Sequence, residues 1–151
     1  MKLFLAFKYV HILCAIVAVG FNTSYGIWLG LARREPKAYG FVLRGIHFMD
    51  TYVANPCYVG LGVTGPLMVW LAGYSWKETW IWLALALLLL ASALGLGVFT
   101  PLVARQRRLL DERGPQDPEF QALLKRGGAL GGLMALVVLA ILFLMVFKPG
   151  A

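Results

Sequence analysis

Four long apolar runs, at residues 3–32, 40–73, 77–104 and 127–147, leave almost nothing of this 151-residue chain for a soluble domain. Each run is long enough for the roughly 20 residues with which an α-helix crosses a bilayer. Only 14% of the residues are charged, whereas soluble domains have about a quarter. We therefore predict an all-α, polytopic membrane protein: a four-helix transmembrane bundle that forms a single domain over residues 1–151.

The N-terminal run resembles a secretory signal only superficially. Lys8 and His11 interrupt its apolar core, no A-x-A cleavage site follows, and the apolar run continues to residue 32. We expect this segment to be retained as the first span.

The basic residues indicate how the spans are oriented. Ten of the fourteen lie on or beside the first and third loops, and four lie on the other side. By the positive-inside rule, these two loops, the third at about residues 105–126, are cytoplasmic and both termini are outside, in the bacterial inner membrane. Because the positive charge lies at span ends, we predict anionic lipid and no nucleic acid as its partner. The first group comprises Arg33, Arg34, Lys37, Arg44, Arg105, Arg107, Arg108, Arg113, Lys125 and Arg126.

Polar residues recur at one predicted depth. In an antiparallel hairpin that turns near residue 36, residues whose numbers add to about 72 lie at similar depth, because each residue adds ~1.5 Å of rise. Asn22 is then level with Asp50, and Tyr25 with His47. The next hairpin, turning near residue 75, places Thr100 level with Asp50. We predict a polar pocket of Asn22, Tyr25, His47, Asp50 and Thr100 in the cytoplasmic third of the bundle.

The spacing within the second span suggests how this pocket is built. Arg44, His47 and Asp50 follow at i, i+3 and i+6, so they share a helix face and are expected to pair in series. A buried ionisable group costs about 2.5–3.5 kcal/mol on insertion scales and needs partners. Pro56 also frees a carbonyl beside Asn55. Two interpretations stay open: a ligand or proton site, and a hydrogen-bonded pair that only fixes helix packing.

The two histidines, His11 and His47, are candidate ligands of haem b. Their predicted depths differ by ~21 Å, too far for both to bind one iron. Ligation by one histidine, with Met49, Met68 or a water as second ligand, stays open beside a structural role for His11. No other metal or catalytic motif is present.

Small residues suggest further contacts. Cys14 and Cys57 fall at one depth near mid-bilayer and are expected to be neighbours, more as small apolar side chains than as a functional dithiol. In the fourth span, Gly127, Gly128, Gly131 and Gly132 form small-xxx-small pairs, which permit close helix approach.

The segments "KYVHILCAIVAVGF", "DTYVANPCYVGLGVTGPLMVW" and "ILFLMVFKPG" together resemble a family of small bacterial integral membrane proteins grouped as a domain of unknown function. That resemblance covers nearly the whole chain and implies four membrane helices with no assigned activity. The start Lys8-x-x-His11, followed by Gly20, is similar to the membrane haem proteins of the protoporphyrinogen oxidase and copper-resistance D type. This second resemblance covers span 1 and implies a haem ligand at His11.

Three functions remain. The first is binding of haem b or another small redox ligand within the bundle, and an enzymatic activity is open only by this route. The second is a non-catalytic accessory or scaffold subunit, as a homo-oligomer or with a partner membrane subunit. The third, a small transporter or proton relay through Asp50 and His47, is ranked last because no broken half-helices or inverted repeats are visible.

Overall fold

The computed structural model describes residues 1–150, which form four long helical rods. The second and third rods each contain a short π-helical segment, Asp50–Ala54 and Gly95–Phe99 respectively. Within the described residues there is no strand. The six α-helices are α1 (Lys2–Arg34), α2 (Tyr39–Met49), α3 (Asn55–Ala72), α4 (Thr79–Leu94), α5 (Thr100–Arg113) and α6 (Pro118–Phe147).

Three of the rods, Lys2–Arg34, Thr79–Arg113 and Pro118–Phe147, are long and apolar enough to cross a membrane. Between 6% and 22% of their most apolar windows is buried inside the protein, so most of that surface faces outward, as lipid contact requires. The remaining rod, residues 39–72, is less apolar because it holds Arg44, His47, Asp50 and Asn55. The prediction of an all-α membrane bundle is confirmed.

Two of the rods end at residues that do not favour a continued α-helix. α1 stops at Arg34 because Glu35 precedes a proline, which disfavours the helical conformation, and a 3₁₀ turn, Pro36–Ala38, comes next. α3 ends at Gly73, whose φ of 71° closes the helix as in a Schellman motif, with Tyr74 N–H donating to the Val69 carbonyl. The connection at residues 105–126 consists of the ends of α5 and α6 joined by a short turn, as the mixed charges around Gly114-Pro115 predict.

The two π-helical segments share a sequence feature. Each is followed by a polar residue and then a proline, Asn55-Pro56 after the first and Thr100-Pro101 after the second. A proline inside a helix lacks the N–H and crowds the carbonyl four residues earlier. A widened turn accommodates that crowding, and π-type turns are often found at functional sites. The effect of Pro56 was predicted from the sequence, whereas the matching break before Pro101 was not.

The rods pack in an antiparallel bundle with two distinct ends. α1 lies along α3 and α6, α4 lies along α6, and α2 packs against α5. We call the end with the turns 35–38 and 114–117 the basic end, and the end with residues 1–8, the turn 73–78 and Lys148 the terminal end. One apolar cluster around Leu43 and Phe120 fills the basic end, and a smaller one around Trp80 and Ile81 fills the terminal end.

The glycines of α6 differ in their surroundings. A Cβ on Gly127 would lie 3.0 Å from Gln106 Nε2 and 3.1 Å from Leu102 Cδ2, so α5 and α6 approach closely there. On Gly128 it would meet only Arg33 Nη2, at 4.0 Å, and on Gly131 or Gly132 nothing within 4 Å. Of these four glycines, only Gly127 lies at a close approach between helices of the chain, which corrects the expectation for the other three.

Candidate functional site

A cleft of about 900 Å³ lies at the terminal end, lined by α1, α3, α4 and α6. We call it the terminal cleft. Its walls are mostly apolar, and the polar side chains along it are Lys8, His11, Tyr74, Trp80 and Lys148. Ligand pockets in proteins typically measure about 300–1,000 Å³ and combine apolar walls with a few polar groups. The terminal cleft has both properties.

His11 stands at the wall of the terminal cleft in a fixed orientation. Its Nδ1 lies 2.7 Å from Thr64 Oγ1, and that hydroxyl donates to the Gly60 carbonyl at 2.7 Å. Because the hydroxyl proton is used, Thr64 Oγ1 accepts from Nδ1–H of the imidazole. The neutral ring therefore carries its proton on Nδ1 and leaves the Nε2 lone pair without a proton. A metal-binding histidine has the same arrangement, one nitrogen held by the protein and the other free.

The mouth of the terminal cleft carries positive charge. Lys148 Nζ donates to Tyr74 Oη at 2.7 Å and lies 4.7 Å from the centre of the Tyr74 ring and 5.5 Å from that of Trp80. Lys8, one helical turn before His11, adds a second ammonium group. These cations suit a ligand with acidic groups at one end.

Trp80 contributes a buried donor to the same region. The side chain is 4% exposed and lines the terminal cleft, yet its Nε1–H has no hydrogen-bond partner among residues 1–150. Buried donors are almost always paired, so an unpaired one calls for a partner such as a water or a ligand. Trp80 is therefore part of the packed interior at the terminal end.

A second group of polar side chains lies beside the two π-helical segments, around Asp50 and Thr100. Thr100 Oγ1 is 3.1 Å from Asp50 Oδ2, so two side chains that the hairpin arithmetic sets at one depth are in contact. Asp50 is 6% exposed and Tyr25 is 4% exposed. The Tyr25 ring stacks on Phe99 at 6.1 Å, and its hydroxyl has no partner within the described chain.

Asn22 takes a different partner from the one expected. Its Nδ2 donates to Tyr58 Oη at 2.6 Å and to the Ala18 carbonyl at 2.9 Å, and it makes no hydrogen bond with Asp50. Tyr58 in turn is among the ionisable neighbours of Tyr25 and Asp50. We call the group Asn22, Tyr25, Asp50, Tyr58 and Thr100 the interior cluster.

The predicted series of Arg44, His47 and Asp50 is not formed. Arg44 is exposed, and all the salt bridges found among residues 1–150 lie near the turn 114–117, between Arg105 or Arg113 and Asp117 or Glu119. His47 is half-buried and has no side-chain hydrogen bond in the described part of the chain, although it neighbours Asp50. Asp50 is thus held by a hydroxyl and not by a cation.

The terminal cleft and the interior cluster are separated by a small apolar cavity of about 70 Å³. Both His11 and Tyr58 line this cavity. His47 lines neither this cavity nor the terminal cleft. In residues 1–150 there is also no group of three or more histidine, cysteine or acidic side chains that could hold a metal ion.

The two cysteines are neighbours, as their predicted depths suggested. The thiols of Cys14 and Cys57 are close enough to interact, and both are free and half-buried. A Cβ on Gly60 would lie 3.1 Å from Cys14 Sγ, so α1 and α3 are closely packed at this level.

Sequence reasoning missed four residues that shape these sites: Tyr58, Thr64, Trp80 and Lys148. Thr64 and Tyr58 lie on α3 beyond the positions predicted opposite His11 and Asn22. One available signal was the threonine in an otherwise apolar stretch, "GLGVTGPL". Nothing in the sequence placed Lys148 beside Tyr74, because the contact joins residues 74 positions apart.

A helical bundle with an apolar outer surface and polar groups inside defines an integral membrane protein. The chain belongs to a family described as "Predicted integral membrane protein (DUF2269)", whose model matches residues 5–149. No match was found among characterised proteins or among solved structures. The family description assigns no activity, so the function is inferred from the sites.

Proposed function

We propose that this protein is a membrane haem b protein, with the terminal cleft as the haem pocket and His11 as an axial ligand. The observation that carries the proposal is the pair of hydrogen bonds that joins His11 Nδ1 to Thr64 Oγ1 and Thr64 Oγ1 to the Gly60 carbonyl. Thr64 accepts from Nδ1–H at 2.7 Å, so Nε2 is left free on a residue that lines a cleft of about 900 Å³.

The other residues of the terminal cleft fit a haem. Its apolar walls suit the macrocycle, and Lys8 and Lys148 are available to pair with the two propionate groups. Trp80 Nε1–H, buried without a partner in the described chain, is available to an acceptor on the ligand or to a water. When bound, haem would supply a redox-active iron, and the protein would supply its ligand, its orientation and the exclusion of water.

The residues that line the terminal cleft limit the choice of a second iron ligand. Met68 lines the terminal cleft, whereas Met49 does not. Thioether ligation by methionine raises the reduction potential of a haem. The proposal therefore takes Met68 or a water as second ligand and assigns no iron to His47, which lies outside the cleft.

An absorption spectrum tests the proposal directly. The protein, expressed with a haem precursor and purified in detergent, is measured oxidised and dithionite-reduced. We expect a Soret band in the wild type, its loss in His11→Gly, and its return when imidazole is added to that variant. His47→Ala is the matched control and is expected to keep the band.

A colourless protein with a normal helical circular dichroism spectrum, even after titration with haem, would contradict the proposal. That result would favour the second function, an accessory or scaffold subunit. The observation supporting this alternative is the open face of α6 around Gly131 and Gly132, where a partner helix could approach closely. Gly132→Leu would then disrupt assembly without unfolding the chain.

We also infer the orientation of the four spans in the membrane and their organisation as one domain. The basic end carries ten of the fourteen lysine and arginine residues, which supports a cytoplasmic location for that end and an external location for both termini of one four-span domain. The test uses a Cys14→Ser, Cys57→Ser background with one cysteine at Lys37 or at Ser75. An impermeant maleimide added to whole cells should label the variant at 75 and not the one at 37.

A further inference from the structure

We propose that Asp50 is an interior proton-binding site, in which the carboxyl group carries a proton at neutral pH and donates it to Thr100. This inference concerns the interior cluster and does not depend on whether the terminal cleft holds a haem. It rests on hydrogen-bond counting, on burial and on the surroundings of the carboxyl group.

The hydrogen bonds around Thr100 are satisfied together only if Asp50 is protonated. Thr100 Oγ1 lies 3.1 Å from Asp50 Oδ2 and 3.1 Å from the Gly95 carbonyl oxygen. A hydroxyl has one proton, so it can donate fully to only one of these two acceptors. If the Asp50 carboxylic acid donates to Thr100 Oγ1, the Thr100 proton is free for Gly95, and both contacts are hydrogen bonds.

No salt bridge among residues 1–150 compensates a negative charge at Asp50. The side chain is 6% exposed, and none of the salt bridges in residues 1–150 involves it. A buried carboxylate without a counter-ion is unfavourable in a low-dielectric interior, and such groups usually bind a proton instead. Asp50 meets this condition: Thr100 lies at hydrogen-bond distance from its carboxyl group, and the neutral side chain of Asn55 is a second polar neighbour.

The side chains that face Asp50 are polar and come from four helices. α1 contributes Tyr25, α2 contributes His47, α3 contributes Tyr58 with Asn55 nearby, and Thr100 comes from α5. Among these, His47 is half-buried and lies towards the basic end.

Two further features mark the cluster as a site and not only as packing. The Tyr25 hydroxyl is buried, with the side chain 4% exposed, and has no partner in the described chain. Both π-helical segments also border this cluster: Asp50 is the first residue of one, and Thr100 comes directly after the last residue of the other. A carboxylic acid with one unpaired hydroxyl neighbour can gain or lose a proton with little rearrangement.

Infrared spectroscopy tests this directly on the purified full-length protein at pH 7. The chain has seven acidic residues, and the other six lie in turns or near helix ends at the two ends of the bundle. We expect a carboxylic acid C=O band that shifts in D₂O and with ¹³C-labelled aspartate. The band should be lost in Asp50→Asn and kept in Asp111→Asn, an exposed aspartate that serves as the control.

A second variant, Thr100→Val, keeps the Asp50 carboxyl group and removes the hydroxyl group that it contacts. The band should persist but shift, because the hydrogen-bond acceptor of the carboxyl group has been removed. A wild-type spectrum without a carboxylic acid band, or a band that survives Asp50→Asn, would overturn the proposal. If the band is missing and sodium chloride raises the melting temperature of the wild type but not of Asp50→Asn, the site binds a cation and not a proton.

Discussion

The imidazole of His11 on α1 and the hydroxyl of Thr64 on α3 are joined by a hydrogen bond of 2.7 Å, and Thr64 is itself 6% exposed. This bond links two rods directly behind the wall of the terminal cleft. It also determines which nitrogen of His11 is free, so one buried threonine connects helix packing with the chemistry of the cleft.

Thr64→Val should weaken haem binding without removing the ligand. The substitution keeps the shape of the side chain but leaves His11 Nδ1–H without its acceptor, and loss of such a supporting contact typically costs about 10–100-fold in metal affinity. The measurement is titration of the haem-free protein with haem, followed at the Soret band. Thr23→Val is the matched control, because the Thr23 hydroxyl also bonds the carbonyl four residues earlier but is exposed. Equal affinities of the two variants would contradict the role given to Thr64.

Lys148 should select ligands that carry carboxylates. If Lys148 pairs with a propionate, Lys148→Ala lowers the affinity for haem but not for haem dimethyl ester, in which the acids are blocked. Competitive haem titration of both forms measures this difference. Lys77→Ala is the control, because Lys77 is exposed in the neighbouring turn and does not line the cleft. A loss of affinity that is equal for both forms would indicate that Lys148 acts only through its contacts with Tyr74 and Trp80.

The sequence determined much of the architecture, because apolar length and helix-ending residues act locally. Four rods, the stop before Pro36 and the shared depth of Asp50 and Thr100 follow from apolar length, from the proline and from hairpin geometry. These features need no knowledge of side-chain direction. Such predictions hold because an error of a few residues in depth does not change them.

To predict which side chains of α1 and α3 contact each other, the direction of each side chain must be known, and the depth arithmetic does not give it. His11 contacts Thr64, three positions beyond residue 61, and Asn22 contacts Tyr58, eight positions beyond residue 50. Helical side chains lean towards the N-terminus of their own helix, so on antiparallel helices they converge from different depths. The π-helical segment before α3 also changes its register. Because of both effects, the contact partners of His11 and Asn22 lie further along α3 than the depths of the Cα atoms suggest.

Gly127→Ala and Gly132→Ala should change stability in opposite directions. At Gly127 the new methyl group would meet Gln106 Nε2 at 3.0 Å, and Gln106 is 1% exposed and bonded to the Leu123 carbonyl, so it cannot move away easily. Overpacking of this kind costs about 1–3 kcal/mol. At Gly132 nothing lies within 4 Å, and the better helix propensity of alanine should stabilise by up to about 1 kcal/mol. Thermal unfolding in detergent, followed by circular dichroism, measures both. A stabilised Gly127→Ala would show that α5 and α6 are not tightly packed.

Pro101→Ala should disturb the contact between Thr100 and Asp50 from outside the interior cluster. Alanine restores an N–H that can bond the Gly97 carbonyl, which favours a regular α-helix over the π-helical segment Gly95–Phe99. Removing one residue from a widened turn rotates the rest of the rod by ~100°, since a regular helix has 3.6 residues per turn. Thr100 would then leave Asp50, and the carboxylic acid band should move to the position found in Thr100→Val. Pro66→Ala, within α3 and away from any π-helical segment, is the control and should leave the band unchanged. An unshifted band in Pro101→Ala would mean that packing of Phe99 against Tyr25, and not the proline, maintains the widened turn.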